Sequence, residues 1–199
     1  ALSVSGASCR IYSHARFRAG SNTTIPNGSE LEVHSLVFID NGANFNGAGD
    51  LHVASTANVF PGDDATLDVN VRNSGDLRVG GLFDGAGARL FLNDDFEQTS
   101  TGTLHIDIAG PSASEYDRVV VDEDATLAGT LDMNSQDTSA YDIGDRMKLV
   151  NAAVNGTFET IAGLSVGVVD GLNASLAVYY EDTVAVNFAD NTAVYARVT

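Results

Sequence analysis

The sequence is poor in the residues that mark disulfide-bonded, nucleic-acid-binding and membrane-spanning proteins. Its single cysteine, Cys9, excludes an internal disulfide. No apolar run approaches the roughly 20 residues that a transmembrane helix needs. Basic residues are scarce, with ten against 27 acidic residues and a formal net charge of −17. Because a surface of that sign repels nucleic acids and anionic membranes, we expect neither nucleic-acid binding nor membrane insertion.

What the sequence does contain is a short phrase, Gly-Asp/Thr-Leu/Phe-x-Val/Ile/Met/Thr, that recurs five times. Its copies start at Gly49, Gly75, Gly102, Gly129 and Gly156, so the glycines are 26, 27, 27 and 27 residues apart. A looser copy starts at Gly28. Self-similarity at a fixed period of this size is typical of repeat architectures, in which each unit buries its apolar face by stacking on its neighbours.

Apolar and polar residues alternate within the phrase, which is the period of a β-strand and not of a helix. A coil of about 26–27 residues that returns to the same apolar position predicts one turn of a parallel β-solenoid. The predicted inward columns are Leu51, Leu77, Leu104, Leu131 and Phe158, followed by Val53, Val79, Ile106 and Met133. The predicted outward column is His52, Arg78, His105, Asp132 and Glu159. We expect the phrase glycines to supply the positive φ angles of the bends.

The repeat divides the chain into three parts. Residues 1–29 fall outside it and predict a basic N-terminal arm or cap, residues 30–160 predict the solenoid core, and residues 161–199 predict a C-terminal cap. Four apolar runs in the last part predict strands at 164–169, 174–180, 184–188 and 193–198, and their short connections indicate an antiparallel arrangement. Ala-x-Leu/Phe elements precede the phrases at variable distances, which predicts loop insertions on one face of the solenoid.

Several phrases occur in a familiar order. Residues 102–108, 116–121, 125–131 and 156–158 read Gly-Thr-Leu-His-Ile-Asp-Ile, Tyr-Asp-Arg-Val-Val-Val, Ala-Thr-Leu-Ala-Gly-Thr-Leu and Gly-Thr-Phe, and Ala-Val-Tyr-Tyr follows at 177–180. With this order, residues 40–190 resemble the C-terminal part of autotransporter passenger domains and the related repeats of large bacterial surface proteins. The resemblance implies a right-handed parallel β-helix that is secreted or displayed on a bacterial cell surface. It carries over no catalytic residues, because the shared region is mostly stalk.

Acidic residues at predicted bends are the candidate metal ligands. They are Asp63, Asp64, Asp94, Asp95, Asp122 and Asp124. Carboxylates and free backbone carbonyls at a bend can bind calcium, although none of these runs matches the Asp-x-Asp-x-Asp-Gly loop, and solvated turns are the alternative. Zinc is not expected, because His52 and His105 would lie two coils apart in the outward column, roughly 9 to 10 Å from each other.

Parallel β-helices include polysaccharide lyases and glycoside hydrolases, so a polysaccharide-binding or polysaccharide-cleaving protein is the alternative function. A hydrolase needs two carboxylates that face each other across a groove. The sequence has many carboxylates but no pair set apart by its context, no tryptophan for stacking on sugars and one lysine. We therefore expect no enzymatic activity, and a cleft with converging carboxylates would favour the alternative.

Charge is distributed unevenly along the chain. Residues 1–29 carry Arg10, Arg16 and Arg18 without any acidic residue, whereas the rest of the chain holds the other seven basic residues and all 27 acidic ones, a net of −20. An open solenoid end can recruit another chain by strand addition, or the segment can cap its own first coil. The acidic remainder makes another copy the natural partner of the three arginines. We expect an extracellular structural protein, a subunit of a surface filament or layer or the stalk of an adhesin, with surface glycans as a second class of partner.

Overall fold

In the computed structural model the described strands stack into a parallel β-solenoid of about six turns, and the predicted all-β fold is confirmed. The structure describes residues 2–4, 7–81, 85–135 and 146–163 and, after them, the strands at 165–169, 172–180 and 193–198. Within these residues, no helix has the length and apolar character needed to cross a membrane.

The described strands, in chain order, are β1 (Leu2–Ser3), β2 (Ser8–Ile11), β3 (Ala15–Phe17), β4 (Asn22–Thr24), β5 (Glu30–Val33), β6 (Leu36–Ile39), β7 (Asn44–Val53), β8 (Asn58–Pro61), β9 (Ala65–Asn73), β10 (Asp76–Arg78), β11 (Arg89–Leu92), β12 (Phe96–Gln98), β13 (Thr103–Ile108), β14 (Arg118–Leu127), β15 (Thr130–Ser135), β16 (Arg146–Gly156), β17 (Thr160–Ala162), β18 (Ser165–Val169), β19 (Leu172–Tyr180) and β20 (Ala193–Val198).

Each turn of the solenoid has three sides, formed by two sheets. Side 3 is the seven-stranded sheet, in the order β3, β6, β8, β10, β13, β15 and β17. The larger sheet makes two sides, because the long strands β7, β9, β14 and β16 run around a corner between them. Side 1 contains β1, β4, β11 and the first halves of the long strands, and side 2 contains β2, β5, β12 and their second halves.

Strand alternation places every second residue inside, where residues of successive turns form columns. The side 3 column is Ala15, Val37, Val59, Leu77, Leu104, Leu131 and Ile161. The side 2 column is Cys9, Leu31, Leu51, Val71, Phe96, Ala125 and Val154. Between the first and the last turn, every member is at most 2% exposed, and the four members at the two ends are partly buried. The core is therefore continuous along the axis and less completely covered in its end layers.

The predicted columns are confirmed for the middle of the chain and wrong outside it. Three predicted residues stack on side 3: Leu77, Leu104 and Leu131. Leu51 is buried on side 2, whereas Phe158 is buried beyond the strands and another residue pairs with Leu131. His52 likewise lies on side 2, and Glu159 lies outside the strands. The three sides share one alternation pattern, so a five-residue phrase cannot distinguish them.

The turns differ in length along the chain. The first three steps of the side 3 column, from Ala15 to Leu77, are shorter than the predicted period. The two steps from Leu77 to Leu131 equal that period, and the last step, to Ile161, is longer. Much of the added length lies where side 3 leads into side 1. The described residues there are 79–81, 85–88 and 109–117, which we call the loop corner. Loop insertions therefore cluster at one corner of the solenoid. This corner is not the predicted place, because the variable spacing of the Ala-x-Leu/Phe elements indicated insertions between each element and the next phrase glycine.

Strands β1, β2 and β3 form the first turn. β1, β2 and β3 pair in parallel with β4, β5 and β6, respectively. The described strands of residues 1–29, which we expected to form a basic arm or cap, thus pair as a turn of the solenoid although they lack the phrase. Parallel pairing requires only the alternation of inward and outward residues, which Ile11, Ala15 and Phe17 provide.

The C-terminal strands are antiparallel, as predicted. β18 pairs with β19, β19 pairs with β20, and β20 pairs with β16 along Arg146 to Asn151. β20 therefore lies against the last turn on side 1. The predicted strand at 184–188 lies outside the described residues.

The phrase glycines sit where one turn comes closest to the turn before it. A Cβ atom on any of the five would lie within 3.0 Å of a backbone carbonyl oxygen of the preceding turn. Gly49, Gly75 and Gly102 do not have positive φ angles, so the expected reason for their presence is wrong at these three positions. Glycine is needed there because a side chain would separate the turns.

We expect Gly102→Ala to lower the free energy of unfolding by about 1 to 3 kcal/mol, because the new methyl group meets the carbonyl oxygen of Asn73. Gly85→Ala is the matched control, since its Cβ would have no neighbour within 4 Å, and its effect should stay within about 0.5 kcal/mol. Chemical denaturation of both variants measures the difference. Equal losses in the two variants would contradict the steric explanation.

Candidate functional site

The six acidic residues expected at calcium sites lie at two corners of the solenoid. Asp63 and Asp64 lie between sides 3 and 1, whereas Asp94, Asp95, Asp122 and Asp124 lie between sides 1 and 2 in neighbouring turns. At this corner the backbone N–H of Asp124 donates a hydrogen bond to Oδ1 of Asp95 in the preceding turn at 3.1 Å. Among the described residues, no three His, Cys, Asp or Glu side chains are grouped so that they could hold a metal ion.

Asp64 is engaged by an arginine of the next turn. Nε and Nη2 of Arg89 donate to its two carboxylate oxygens at 2.6 and 2.7 Å. The hydrogen bond from Arg89 lowers the pKa of Asp64, the charges of Arg89 and Arg118 act in the same direction, and burial opposes them. Asp64 also has a φ of 57°, a conformation that few residues other than glycine adopt. The bidentate pair therefore fixes a bend and leaves this carboxylate little capacity for a cation.

Asp94 lies in a more repulsive environment. Burial raises its pKa, and the neighbouring charges of Asp68 and Asp95 raise it further. Asn93 of the same corner donates a hydrogen bond from its side chain to Asp68. Of the predicted calcium ligands, the pair Asp94 and Asp95 is therefore the one where a bound cation would relieve repulsion between carboxylates.

Two of the four histidines, His52 and His105, contact carboxylates of neighbouring turns. Nδ1 of His105 is 2.9 Å from Asp132, and its Nε2 is 3.4 Å from Asp76. His52 lies on side 2, with its Nδ1 3.3 Å from Glu30. The predicted shared column of His52 and His105 is therefore wrong, since the two rings lie on different sides. Each ring is used in a contact between turns.

Two of the three arginines expected at a contact between copies are bound within the molecule. Nε of Arg10 lies 2.6 Å from Glu32, and Nε of Arg16 lies 2.9 Å from Asp40. Both carboxylates belong to the second turn, so these arginines tie the first turn to the second. Arg18 is exposed and has no ion pair within the described part of the chain. The side chains of Arg10 and Arg16 still remain more than half exposed.

Ion pairs between turns recur further along the rod. Arg72 lies 3.3 Å from Glu97, and Arg78 lies 3.9 Å from Asp107. Stacked parallel strands bring outward residues of adjacent turns about 4.8 Å apart, which is the distance that such pairs require. Each exposed pair contributes little by itself, typically about 0 to 1 kcal/mol. Many outward polar side chains therefore serve contacts between turns instead of converging on a reaction centre.

A groove of about 560 Å³ runs along the outer face of side 2. One wall is a column from five successive turns: Glu30, Asp50, Asn70, Asp95 and Asp124. The opposite wall carries one described carboxylate, Glu97, which Arg72 binds. A row of carboxylate and amide oxygens at strand spacing suits the hydroxyl groups of an extended sugar chain, but the floor offers no exposed aromatic ring among the described residues, because Phe96 is buried.

A second cavity, of about 460 Å³, lies at the loop corner. Its charged lining residues are Asp63, Asp64, Arg89 and Arg118. Ser114 of the loop completes the polar lining. The two acidic and two basic groups balance each other, so this cavity favours neither an anionic nor a cationic ligand.

Asp117 holds the loop corner together from inside. It is 1% exposed, and its Oδ1 accepts hydrogen bonds from the backbone N–H groups of Gly87 and Ala88, each at 2.9 Å. Its Oδ2 accepts one from the N–H of Asp107 at 2.9 Å. Burial raises the pKa of Asp117 to about 7 although these three bonds favour the ionised form, and the charge of Asp107 adds to the increase. One titratable group thus joins three segments of the corner.

Sequence reasoning missed this aspartate because nothing in Tyr-Asp-Arg-Val marks it as buried. It also missed an amide pair in the core, in which Nδ2 of Asn73 donates to Oε1 of Gln98 at 2.8 Å. Oδ1 of Asn73 accepts a bond from the N–H of Gly75 at 3.2 Å. Asn73 precedes a phrase glycine by two residues, and this position is the one sequence signal that could have identified it.

Between about pH 4 and pH 7 we expect the free energy of unfolding to fall by roughly 1 to 4 kcal/mol through Asp117 alone. The reason is that the folded state binds the Asp117 proton more tightly than the unfolded state does. Protonation therefore stabilises the folded state below the unfolded-state pKa, and this stability is lost as pH rises through the folded-state pKa. Denaturation of the parent and of Asp117→Asn at pH 5 and pH 8 measures the slope. The variant should lose this part of the slope, whereas Asp122→Asn, at an exposed position, should keep it. An unchanged slope in Asp117→Asn would contradict the assignment.

Comparison with known proteins finds no family model and no curated protein that matches the chain. The resemblance to autotransporter passenger domains therefore stays a prediction from the phrases that carry it. The function has to be argued from the geometry of the solenoid.

Proposed function

We propose that the chain is a non-enzymatic structural protein of a bacterial surface or secreted assembly. It forms a rod that acts as a subunit of a filament or layer, or as the stalk of an adhesin, and its copies associate by strand addition. The observation that carries this proposal is the continuous stacked core, which runs from the first turn to the last and is less completely covered in its end layers. A solenoid extends its sheets beyond such an end by gaining another layer of strands.

The use of polar side chains supports a structural role. Arg10, Arg16, Arg72 and Arg89 each bind a carboxylate of an adjacent turn. The buried Asp117 is engaged by three backbone N–H groups. Such groups stabilise the rod and are not poised for chemistry.

The acidic surface supports an extracellular location. A net charge of −17 on 199 residues keeps a rod soluble and limits unspecific side-by-side association. Strand addition at the ends remains favourable, because it is driven by backbone hydrogen bonds and apolar burial that do not depend on that charge. Growth along the axis is therefore favoured over lateral aggregation.

The alternative function, binding or cleavage of a polysaccharide, is favoured by the groove on side 2. Its wall of Asp50, Asn70, Asp95 and Asp124 could follow a sugar chain along the rod. This groove is compatible with the structural role, since a rod can hold surface glycans along its length. Its chemistry fits binding better than cleavage, because Glu97 on the opposite wall is neutralised by Arg72.

We expect the purified chain to form assemblies whose mass increases with concentration, because a strand edge at either end can accept another copy. Size-exclusion chromatography with light scattering measures the mass, and negative-stain electron microscopy should show rods that lengthen without thickening. A strictly monomeric chain at high concentration would contradict assembly. Cleavage of a polysaccharide, lost in Asp95→Asn and kept in Asp122→Asn, would instead establish the alternative.

Calcium is proposed as a stabilising ion at the corner of Asp94 and Asp95, where burial and repulsion already raise the pKa of Asp94. Millimolar calcium should increase the melting temperature of the parent, since a ligand that binds only the folded state stabilises it. Asp94→Asn should abolish the increase, whereas Asp63→Asn, at the other corner, should retain it. The same melting curve with and without calcium would exclude a stabilising site.

A further inference from the structure

The inward column of side 3 ends in an incompletely covered residue at both ends of the solenoid. The first turn leaves Ala15 of the side 3 column partly buried, and the last turn leaves Ile161 of the same column partly buried. Residues of this column in the turns between them are covered from both directions and are buried. The column therefore accepts a further apolar layer at each end.

The edge strands also match. β3 and β17 are the two edges of the seven-stranded sheet, and each has three residues. Within the described strands, neither has a partner on its outer side. All strand pairs of this sheet are parallel, so a copy placed above the last turn could continue it in the same direction.

We infer that β3 of one copy pairs in parallel with β17 of another, so that Ala15 stacks on Ile161. This rests on the proposed function and specifies the face, the partner and the register. Ala162, which pairs with the outward Asp132 within the molecule, then lies beside Arg16 of the next copy. β20 occupies side 1 at the last turn, whereas the outer edge of β17 on side 3 has no partner among the described strands.

Charge favours a second copy as the occupant. The outermost layer of the first turn carries His14, Arg16 and Arg18 without any carboxylate, and all three are exposed. At the last turn the position beside Arg16 is the neutral Ala162, and the exposed Glu159 lies just before β17. Arg16 thus lies beside a neutral residue in the inferred contact, and Glu159 is the nearby acidic residue of the last turn. Since the two faces differ, the contact is heterologous and continues from copy to copy unless its rotation closes a ring.

Cysteine cross-linking tests this register. In a Cys9→Ser background, Arg16→Cys combined with Ala162→Cys places one thiol at each end of the outward column. The two positions lie six strand spacings apart in one copy, about 29 Å, which no disulfide spans. Across the inferred contact they are direct neighbours at strand spacing, within disulfide reach. Mild oxidation should therefore give a ladder of covalent dimers, trimers and larger species on a denaturing gel.

The matched control combines Arg16→Cys with Asp132→Cys, which lies in the same outward column one turn inside the end. It should give no species beyond dimers, as should each single-cysteine variant. Circular dichroism and thermal melting check that all variants are folded. A ladder in the control, or none in the end-to-end pair, would overturn the inferred register.

Two further outcomes separate this inference from the proposed function. If the parent chain assembles but the end-to-end pair gives no ladder, the copies associate through another surface, and the inference fails while the structural role stands. If the parent remains monomeric at every concentration, both fail.

Tyr12→Asp, at an exposed apolar residue of the first turn, gives an independent measure without thiol chemistry. It should weaken assembly, and Asp122→Lys, which lies in β14 and outside the two end turns, should not; equal assembly in both would count against the first turn as the contact.

Discussion

The spacing between successive turns is set by backbone hydrogen bonds, and every other feature of this protein has to fit within that spacing. Parallel strands fix it at about 4.8 Å on all three sides. Where a corner brings the backbone of one turn against a carbonyl of the previous one, as at Gly75 and Gly102, there is no room for a side chain. The glycine of the repeated phrase is therefore required by the close approach of two turns. The apolar residues that follow it fill the core.

The same spacing determines what the polar residues can do. An outward side chain in the middle of the rod has neighbours one turn away on each side, so acids and bases pair along columns, as Arg89 does with Asp64. The charged groups in these pairs neutralise each other, also where they line a cavity, as Asp64 and Arg89 do at the loop corner. The parts of the surface that could contact a partner are the groove on side 2, the loop corner, which Asp117 holds together by hydrogen bonds, and the two ends. Binding along the rod and contact at its ends are the activities that such an architecture supports best.

Much of the fold could be predicted because the phrase encodes both strand alternation and turn length. The prediction succeeded between Leu77 and Leu131, where each coil has the length of the phrase period. It failed for Leu51, because the phrase there starts on side 2 and nothing in its few residues distinguishes the sides. The first turn was placed outside the solenoid because its strands are marked by scattered apolar residues and not by a phrase.

The candidate sites were harder to predict than the fold. Acidic runs correctly marked corners, since carboxylates are tolerated where the chain meets water. Which carboxylate is neutralised by an arginine and which is crowded depends on residues one turn away in the chain, as with Asp64 and Arg89. The burial of Asp117 likewise comes from loops that pack over it. Sequence patterns describe positions within one turn, whereas these environments arise between turns.

The first turn has a mechanical consequence. Each layer is held only by the layers next to it, so a force that pulls the chain at its N-terminus acts first on β1, β2 and β3. These strands are short and, among the described strands, have a neighbour on one side, and Arg10 and Arg16 add the side-chain contacts that resist their peeling. Under load, the molecule would unwind one coil at a time and release a length of extended chain with each step. A rod built this way would absorb mechanical work in steps, beginning with its outermost layer.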